Sequence, residues 1–350
     1  MKTARVARPL ALGGRAVFEA VCRRLESGYF AVPTAVTLLE VREHAYSSTG
    51  LIRLEAPSGT RELIAKTLAS CPGSEDGKAR QIEREHRALV ECARTFRGAP
   101  DLRVPAPVAH FPDLQTVVME TAAGRLLSEV IGEARFWPRR ATVEAISHAC
   151  RLCGRWLRHL QETTRALAPA TTLDLLGPCD VALATLAARP VPPVSSDFLA
   201  VVRSHVRDLW QRLDGRDVPV TATHGGLAPY NVIVAPDGRA VTVIDFASFR
   251  IDAAQFDYLK FRFRIEMLAE GPSFRRRVVG RLVEAFREGY GHPVDEESPV
   301  ARLLSIGLAL DQMAAYVEAT GAPAVSLRRR LALRRRFRHH HRRLSETCHA

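Results

Sequence analysis

Apolar and polar positions change period repeatedly along the first third of the chain. Residues 14–28 carry Val17, Phe18, Val21 and Leu25 at helical spacing, which predicts an opening amphipathic helix. Val36 to Val41 is then apolar and β-branched, and His44 to Gly50 reads as a small, polar connection. Leu51 to Leu54 passes through a turn at Pro57-Ser58-Gly59 into Glu62 to Leu68, so three antiparallel strands are expected. The helical period returns at Ile82, Leu89, Val90 and Ala93, with Ser74 as candidate cap and Glu75 and Asp76 suiting the positive helix end. A Pro-punctuated stretch at Pro105 and Pro107 leads to Thr116–Glu120, read as a short buried strand, and Gly124 breaks the chain.

The remainder is mostly helical in pattern. Ile146, Cys150, Cys153, Leu157 and Leu160 recur at helix spacing, and residues 196–213 resume it. Between these, Leu173 to Pro193 reads as irregular, closed by Pro190, Pro192 and Pro193. Val232 to Val234 and Val241 to Ile244 flank Pro236-Asp237-Gly238, the signature of a hairpin. Helices follow at 254–270, 274–290 and 299–319, and no internal repeat of solenoid period is present.

With 350 residues and 47% hydrophobic content the chain can bury one large or two medium lobes. It has no run of about 18 apolar residues, so no transmembrane helix is expected. Seven scattered cysteines fit a reducing cytosol better than a disulfide framework. The net charge of +12 is concentrated: residues 324–350 hold nine arginines against Glu346 alone, which leaves +4 for the other 323 residues. If residues 326–344 are helical, Leu333, Phe337 and Leu344 form one stripe and arginine covers most of the rest. Such a helix can dock by its leucines, attract an anionic membrane surface, or bind nucleic acid. No recognised nucleic-acid module supports the last.

The chemistry concentrates in Thr223-His224-Gly225-Gly226-Leu227-Ala228-Pro229-Tyr230-Asn231 and in Ile244-Asp245-Phe246. Asp245 directly follows a β-branched strand, so its carboxylate projects from a rigid support. Together with Leu63-Ile64-Ala65-Lys66, these stretches resemble the aminoglycoside phosphotransferase and choline kinase group over roughly residues 36–320.

The resemblance implies a bilobal, protein-kinase-like α+β fold. Residues 1–35 would be an N-terminal extension, 36–120 a β-rich N-lobe, 121–322 a helical C-lobe with a small hairpin, and 323–350 an Arg-rich tail. It implies that Lys66 contacts the phosphates of ATP and that Glu85 pairs with Lys66, with Glu83 next if the register shifts by two. Ser47 and Ser48 would lie in the phosphate-covering loop, and the backbone of Met119 and Glu120 would meet adenine. Asn231 and Asp245 would hold Mg²⁺, while His224 and Asp257 would brace the loop.

One position departs from the pattern. Such loops carry an Asp two residues after the His, to orient and deprotonate the attacking hydroxyl; here it is Gly226. Asp252 is the conceivable substitute, and Asp237 sits in the hairpin turn. Two readings follow. One is an ATP-dependent kinase of a small-molecule hydroxyl, impaired by loss of the base. The other is a nucleotide-binding pseudokinase with a regulatory or scaffold role; nucleotidyl transfer at the same Mg²⁺ site is a third. The basic body makes an aminoglycoside acceptor less attractive than an anionic, sugar or lipid-linked one. Cys150 and Cys153 have CxxC spacing but fall on a helix face with no second pair, and His339-His340-His341 belongs to the cationic tail.

Overall fold

The structure, a computed structural model, describes residues 13–29, 35–44, 47–57, 59–68, 75–136, 138–189, 194–270, 274–320 and 327–349. Ser74 therefore lies outside the described residues. The elements run α1 (Gly13–Arg24), β1 (Ala35–Glu43), β2 (Ser47–Ala56), β3 (Gly59–Leu68), α2 (Glu75–Thr95), β4 (Leu102–Arg103), β5 (Pro107–Phe111) and β6 (Thr116–Glu120). Next come β7 (Arg125–Leu126), α3 (Leu127–Gly132), α4 (Arg140–Glu162), β8 (Ala166–Pro169), α5 (Gly177–Ala188), α6 (Ser196–Gln211) and β9 (Asp217–Thr223). The hairpin β10 (Val232–Val234) and β11 (Val241–Val243) precedes β12 (Arg250–Ala253), α7 (Phe256–Glu266), α8 (Arg276–Tyr290), α9 (Pro299–Thr320) and α10 (Leu327–His349). By contacts the chain forms two compact units, Met1–Gly124 with Ile233–Phe249, and Arg125–Val232 with Arg250–Ala350.

The first unit is built on an antiparallel sheet of order β1-β2-β3-β6-β5. Phe18, Val21 and Leu25 of α1 and the turn after it bury against Ile52, Leu54, Leu63 and Ala65, which share one sheet face by the period of two. Lys66 consequently projects from the other face, where α2 packs on β3, β5 and β6. His86 of α2 stacks on His110 of β5 at 4.8 Å. Glu85 is buried on the inward side of α2 with Ile82, Ala88, Leu89 and Cys92, and Val90 and Ala93 are only half-buried. The hairpin joins this unit as β11 pairs in parallel with β4, Val241 opposite Leu102.

Residues 47–50 differ from the expected polar connection. They are the first four residues of β2, with Ser48 paired to Glu43 on one side and Thr67 on the other. Two flanking strands satisfy their backbone groups, which outweighs the weak strand preference of small polar residues. Gly50 is required by packing, since a Cβ there would lie 2.8 Å from the Phe18 ring.

In the second unit α4 carries Ile146, Cys150, Cys153, Leu157 and Leu160 on its buried face. It packs against α8 at very close range: a Cβ on Gly154 would sit 2.2 Å from the Phe286 carbonyl oxygen, and one on Gly289 1.9 Å from that of Arg151. A three-stranded antiparallel sheet, β12-β9-β8, lies alongside, with β9 central. The buried Gln161 ties these layers together: its amide donates to the Ala254 carbonyl at 2.8 Å and accepts from the Tyr290 hydroxyl at 2.6 Å.

The expected irregular stretch from Leu173 contains α5, which packs on α6 and α9. Pro178 sits in its first turn, where the missing N–H costs nothing. The sequence signal failed because α5 is apolar almost all round and shows no period. Among the described residues one helical stretch, Pro299–Ala319, is long and apolar enough to cross a membrane, and 72% of its window is buried within the protein. It acts as a core helix, touching α5, α6, α7 and α10.

α10 docks. Leu333, Phe337 and Leu344 are buried, as is His340, which stacks on Phe263 at 5.3 Å. The helix rests on α9, α6 and the 3-10 turn Met267–Glu270 that continues α7. Its apolar stripe is thus consumed internally, and the described arginines are left at its surface.

Candidate active site

In the first unit, Lys66 joins two carboxylates. Its ammonium donates to Glu85 Oε1 at 2.7 Å and to Asp245 Oδ1 at 2.6 Å. Burial alone would lower the Lys66 pKa, but Glu85 and then Asp245 override it and hold the amine above its ordinary value. Burial raises the Glu85 carboxyl, and the Lys66 ammonium pulls it back. Glu85 is almost wholly enclosed, whereas the Asp245 side chain is 45% exposed. Two carboxylates thus share one ammonium, and the Asp245 end of the cluster is the exposed one.

Asp245 stands just past β11 with φ +70°, a left-handed conformation that costs a non-glycine residue on the order of 1–3 kcal/mol. The following 3-10 turn, Phe246–Ser248, packs on α2 with Phe246 buried, so the helix bearing Glu85 and the turn after Asp245 brace each other. Glu83, the alternative register, is exposed and pairs with Arg87 instead. Ser48 is buried with its hydroxyl unpartnered among the described residues. Met119 is buried in β6, the Glu120 amide donates to the Ala106 carbonyl at 2.9 Å, and its side chain pairs with Arg61 at 3.2 Å. The Thr121 amide likewise donates to the Glu62 carbonyl at 3.1 Å.

In the second unit, Asp257 organises residues 224–231. Fully buried near the start of α7, it accepts from the His224 amide at 2.5 Å (Oδ2) and from the Gly225 amide at 3.0 Å (Oδ1). Gly225 takes φ +73°, which turns both amides inward. Burial raises the Asp257 carboxyl to about 6, against the pull of Lys260 and the two amides. His224 accepts from the Gly226 amide through Nδ1 at 3.2 Å, so the ring is neutral with its proton on Nε2. Asn231 donates from Nδ2 to the Gly226 carbonyl at 2.9 Å, closing the loop.

Lys260 is a residue the sequence reading missed. Its ammonium donates to the Gly225 carbonyl at 2.6 Å, and burial lowers its pKa while Asp257 raises it. Three residues beyond Asp257 on one helix, it shares that residue's face, which was the signal present in the sequence. The loop is therefore held from two sides, amides to Asp257 and carbonyl to Lys260.

At Gly226 a Cβ would meet only ordinary contacts, 3.5 Å from Asn231 Nδ2 and from His224 Nδ1. Its backbone is not left-handed. Neither packing nor strain demands glycine there. Asp252 has both oxygens engaged, Oδ2 by Arg250 at 2.7 Å and Oδ1 by the Ala253 amide at 2.7 Å. Asp237 accepts from the Arg239 amide within the hairpin turn. Cys150 and Cys153 are buried, and burial pushes the Cys150 thiol up to about 12, which denies it the thiolate that zinc or redox work needs. Among the described residues no three His, Cys, Asp or Glu side chains cluster as a metal site.

The model of the phosphotransferase enzyme family (APH) matches residues 53–304. The chain belongs to this family. Its fold is similar to a choline/ethanolamine kinase family protein from Mesorhizobium loti (TM-score 0.53, 14% identity, covering 94% of this chain and 95% of that one). It is also similar to the amicoumacin kinase hAmiN in complex with AMP-PNP, Ca²⁺ and Ami (0.53, 15%, 88% and 88%) and to a glucosamine kinase (0.53, 12%, 93% and 100%). No curated protein matches it by sequence. The kinase-like α+β fold and membership of a small-molecule phosphotransferase family follow.

Proposed function

We propose that this phosphotransferase-family chain binds Mg-ATP and transfers the γ-phosphoryl group to a small-molecule hydroxyl, with the acceptor side of the reaction weakened at Gly226. The observation that carries the reading is Lys66 held between buried Glu85 and half-exposed Asp245. A charged lysine on a sheet face is poised for phosphate oxygens, and Glu85 keeps it there. Asp245 is the hard-oxygen carboxylate at the exposed end of this cluster that would hold Mg²⁺. A Mg²⁺ site needs only one or two protein carboxylates when substrate phosphates complete it, which fits the lack of a larger acidic cluster among the described residues. Bound there, the metal would neutralise charge on the transferring phosphoryl group.

The chain's own residues divide the remaining work. Lys66 orients the phosphates, and Asp257 with Lys260 fixes the loop that carries His224 and Asn231. The neutral His224 takes no proton from the acceptor through Nδ1, because that nitrogen already accepts from the Gly226 amide. A carboxylate at position 226 would contribute about 10² to 10⁴ in rate. Its absence, with Asp252 engaged elsewhere, also favours the second reading, a nucleotide-binding pseudokinase.

Thermal stability measured with ATP, with and without Mg²⁺, tests the nucleotide half in wild type and Asp245→Ala. A Mg²⁺-dependent rise in Tm confined to wild type is expected. No rise in wild type would sink both readings. Phosphate transfer by wild type at an ordinary kinase rate would dismiss the pseudokinase.

A further inference from the structure

The docking of α10 creates a concave feature made wholly within the second unit. A cleft of about 780 Å³ opens between α10, the end of α7 with its 3-10 turn, and the start of α8. Arg335, Arg338, Arg342 and Arg343 line it from α10 and Arg276 from α8. Arg335, Arg338 and Arg342 follow at spacings of three and four, so they form one row on the helix. The buried stripe of Leu333, Phe337, His340 and Leu344 fixes the rotation of that row.

Five arginines line the cleft against two carboxylates, Glu266 and Glu270. Arg343 reaches Glu266 at 3.5 Å and Arg342 reaches Glu346 at 3.8 Å, both loose and solvent-exposed pairs. Arg276, Arg335 and Arg338 have no ion pair among the described residues. Fixed like charges repel unless an anion joins them, and guanidinium forks match phosphate oxygens in pairs.

The cleft also contains a polar group that lacks a partner. Glu270 lines it with only 7% of its side chain exposed. Its Oε1 stands 3.5 Å from the Nε2 atoms of His339 and His340, and its Oε2 has no hydrogen-bond partner among the described residues. Buried carboxylate oxygens are normally satisfied, so Glu270 in the wall of the cleft is short of one hydrogen-bond donor.

We infer that this cleft binds a phosphorylated polyol, its phosphate held by the arginine row and a hydroxyl by Glu270. The volume is that of a small-molecule site. It is distinct from the loop held by Asp257: Asp257 and Glu266 are nine residues apart on α7, about 13 Å along the helix axis. The same chemistry occurs free, as a sugar phosphate, or on a lipid, as a phosphoinositide headgroup.

The test is calorimetric titration of the full chain, without nucleotide, using glucose 6-phosphate, glucose and inorganic phosphate. Vesicles of phosphatidylcholine with and without phosphatidylinositol 4-phosphate form the second arm. Glucose 6-phosphate should bind at least tenfold more tightly than inorganic phosphate, with glucose silent. Arg338→Glu should weaken it at least tenfold, and Arg338→Gln severalfold, with unchanged circular dichroism. Glu270→Gln should cut the preference for glucose 6-phosphate over phosphate below threefold. Asp245→Ala should bind normally, which separates this site from the nucleotide reading. Binding only to the phosphoinositide vesicles, abolished by Arg338→Glu, would support the cleft with a lipid source. Equal affinity for phosphate and glucose 6-phosphate, full binding by Arg338→Glu, or no binding to any probe would overturn the inference.

Discussion

The Lys66 cluster in the first unit and the 224–231 loop in the second are both held rigidly, but by different means. Lys66, Glu85 and Asp245 hold one another through charge, and the proposed chemistry uses Lys66 and Asp245 directly while Glu85 keeps Lys66 in place. The loop is held through its backbone, by Asp257 from two amides and by Lys260 from a carbonyl, and position 226 itself is a glycine. The frame of the loop therefore survives independently of the group it would present. Asp257 and Lys260 thus stabilise the loop whatever side chain stands at position 226.

The largest test restores the missing group. Gly226→Asp should raise ATP turnover by about 10² to 10⁴, measured as ADP release, with little change in Tm because the added Cβ meets only ordinary contacts. Equal turnover in both proteins would mean that another group already serves as base, and would dissolve the contrast. Next in size is the frame itself. Asp257→Ala strands two buried amides and leaves the Lys260 ammonium without its charge partner, and should cost roughly 3 kcal/mol in urea unfolding. Adding Lys260→Met should recover part of that loss; a double variant no better than the single would show that Lys260 is not coupled to Asp257.

A smaller effect is expected on the charged side. Lys66→Met should weaken Mg-ATP at least tenfold, about 1.4 kcal/mol, by titration calorimetry. Unchanged affinity would remove Lys66 from the nucleotide site. The smallest effect contrasts two buried carboxylates. Asp257 receives two amides, whereas Glu270 lacks such donors, and burial pushes its carboxyl up to about 7 from an ordinary 4.5 despite Arg336 and Arg343. Because the folded state holds this proton more tightly than the unfolded chain, Glu270 stabilises fully below pH 4.5 and loses that contribution as pH rises through 7. Glu270→Gln should therefore raise Tm at about pH 8 and leave it unchanged near about pH 4. An equal gain at both values would exclude titration as the cause.

Much of this was legible in the residue pattern. The opening helix, the three-stranded meander, the buried strand at 116–120, the hairpin and the last helices all carry strong periods or turn residues, and all are present. The stretches that misled share one cause. Ser47 to Gly50 looked like a connection because small polar residues carry little propensity of their own, and α5 looked irregular because an apolar circumference has no period. Short strands such as β4, β8 and β12 exist by pairing with distant partners and leave no local trace.

For the candidate site, Lys66, Glu85, His224, Asn231, Asp245 and Asp257 could be named because their order in the chain resembles that of the phosphotransferase family. The same resemblance marks position 226, a glycine where an Asp was expected. Only the tertiary structure decided which register of α2 meets Lys66, since Glu85 and Glu83 differ by burial and not by local pattern. It alone brought Lys260 to the Gly225 carbonyl and consumed the apolar stripe of α10 in the core, turning a run of arginines into one wall of a cleft. Residue chemistry is written locally, whereas enclosure, partnership and concavity arise when segments far apart in the chain exclude water from one another.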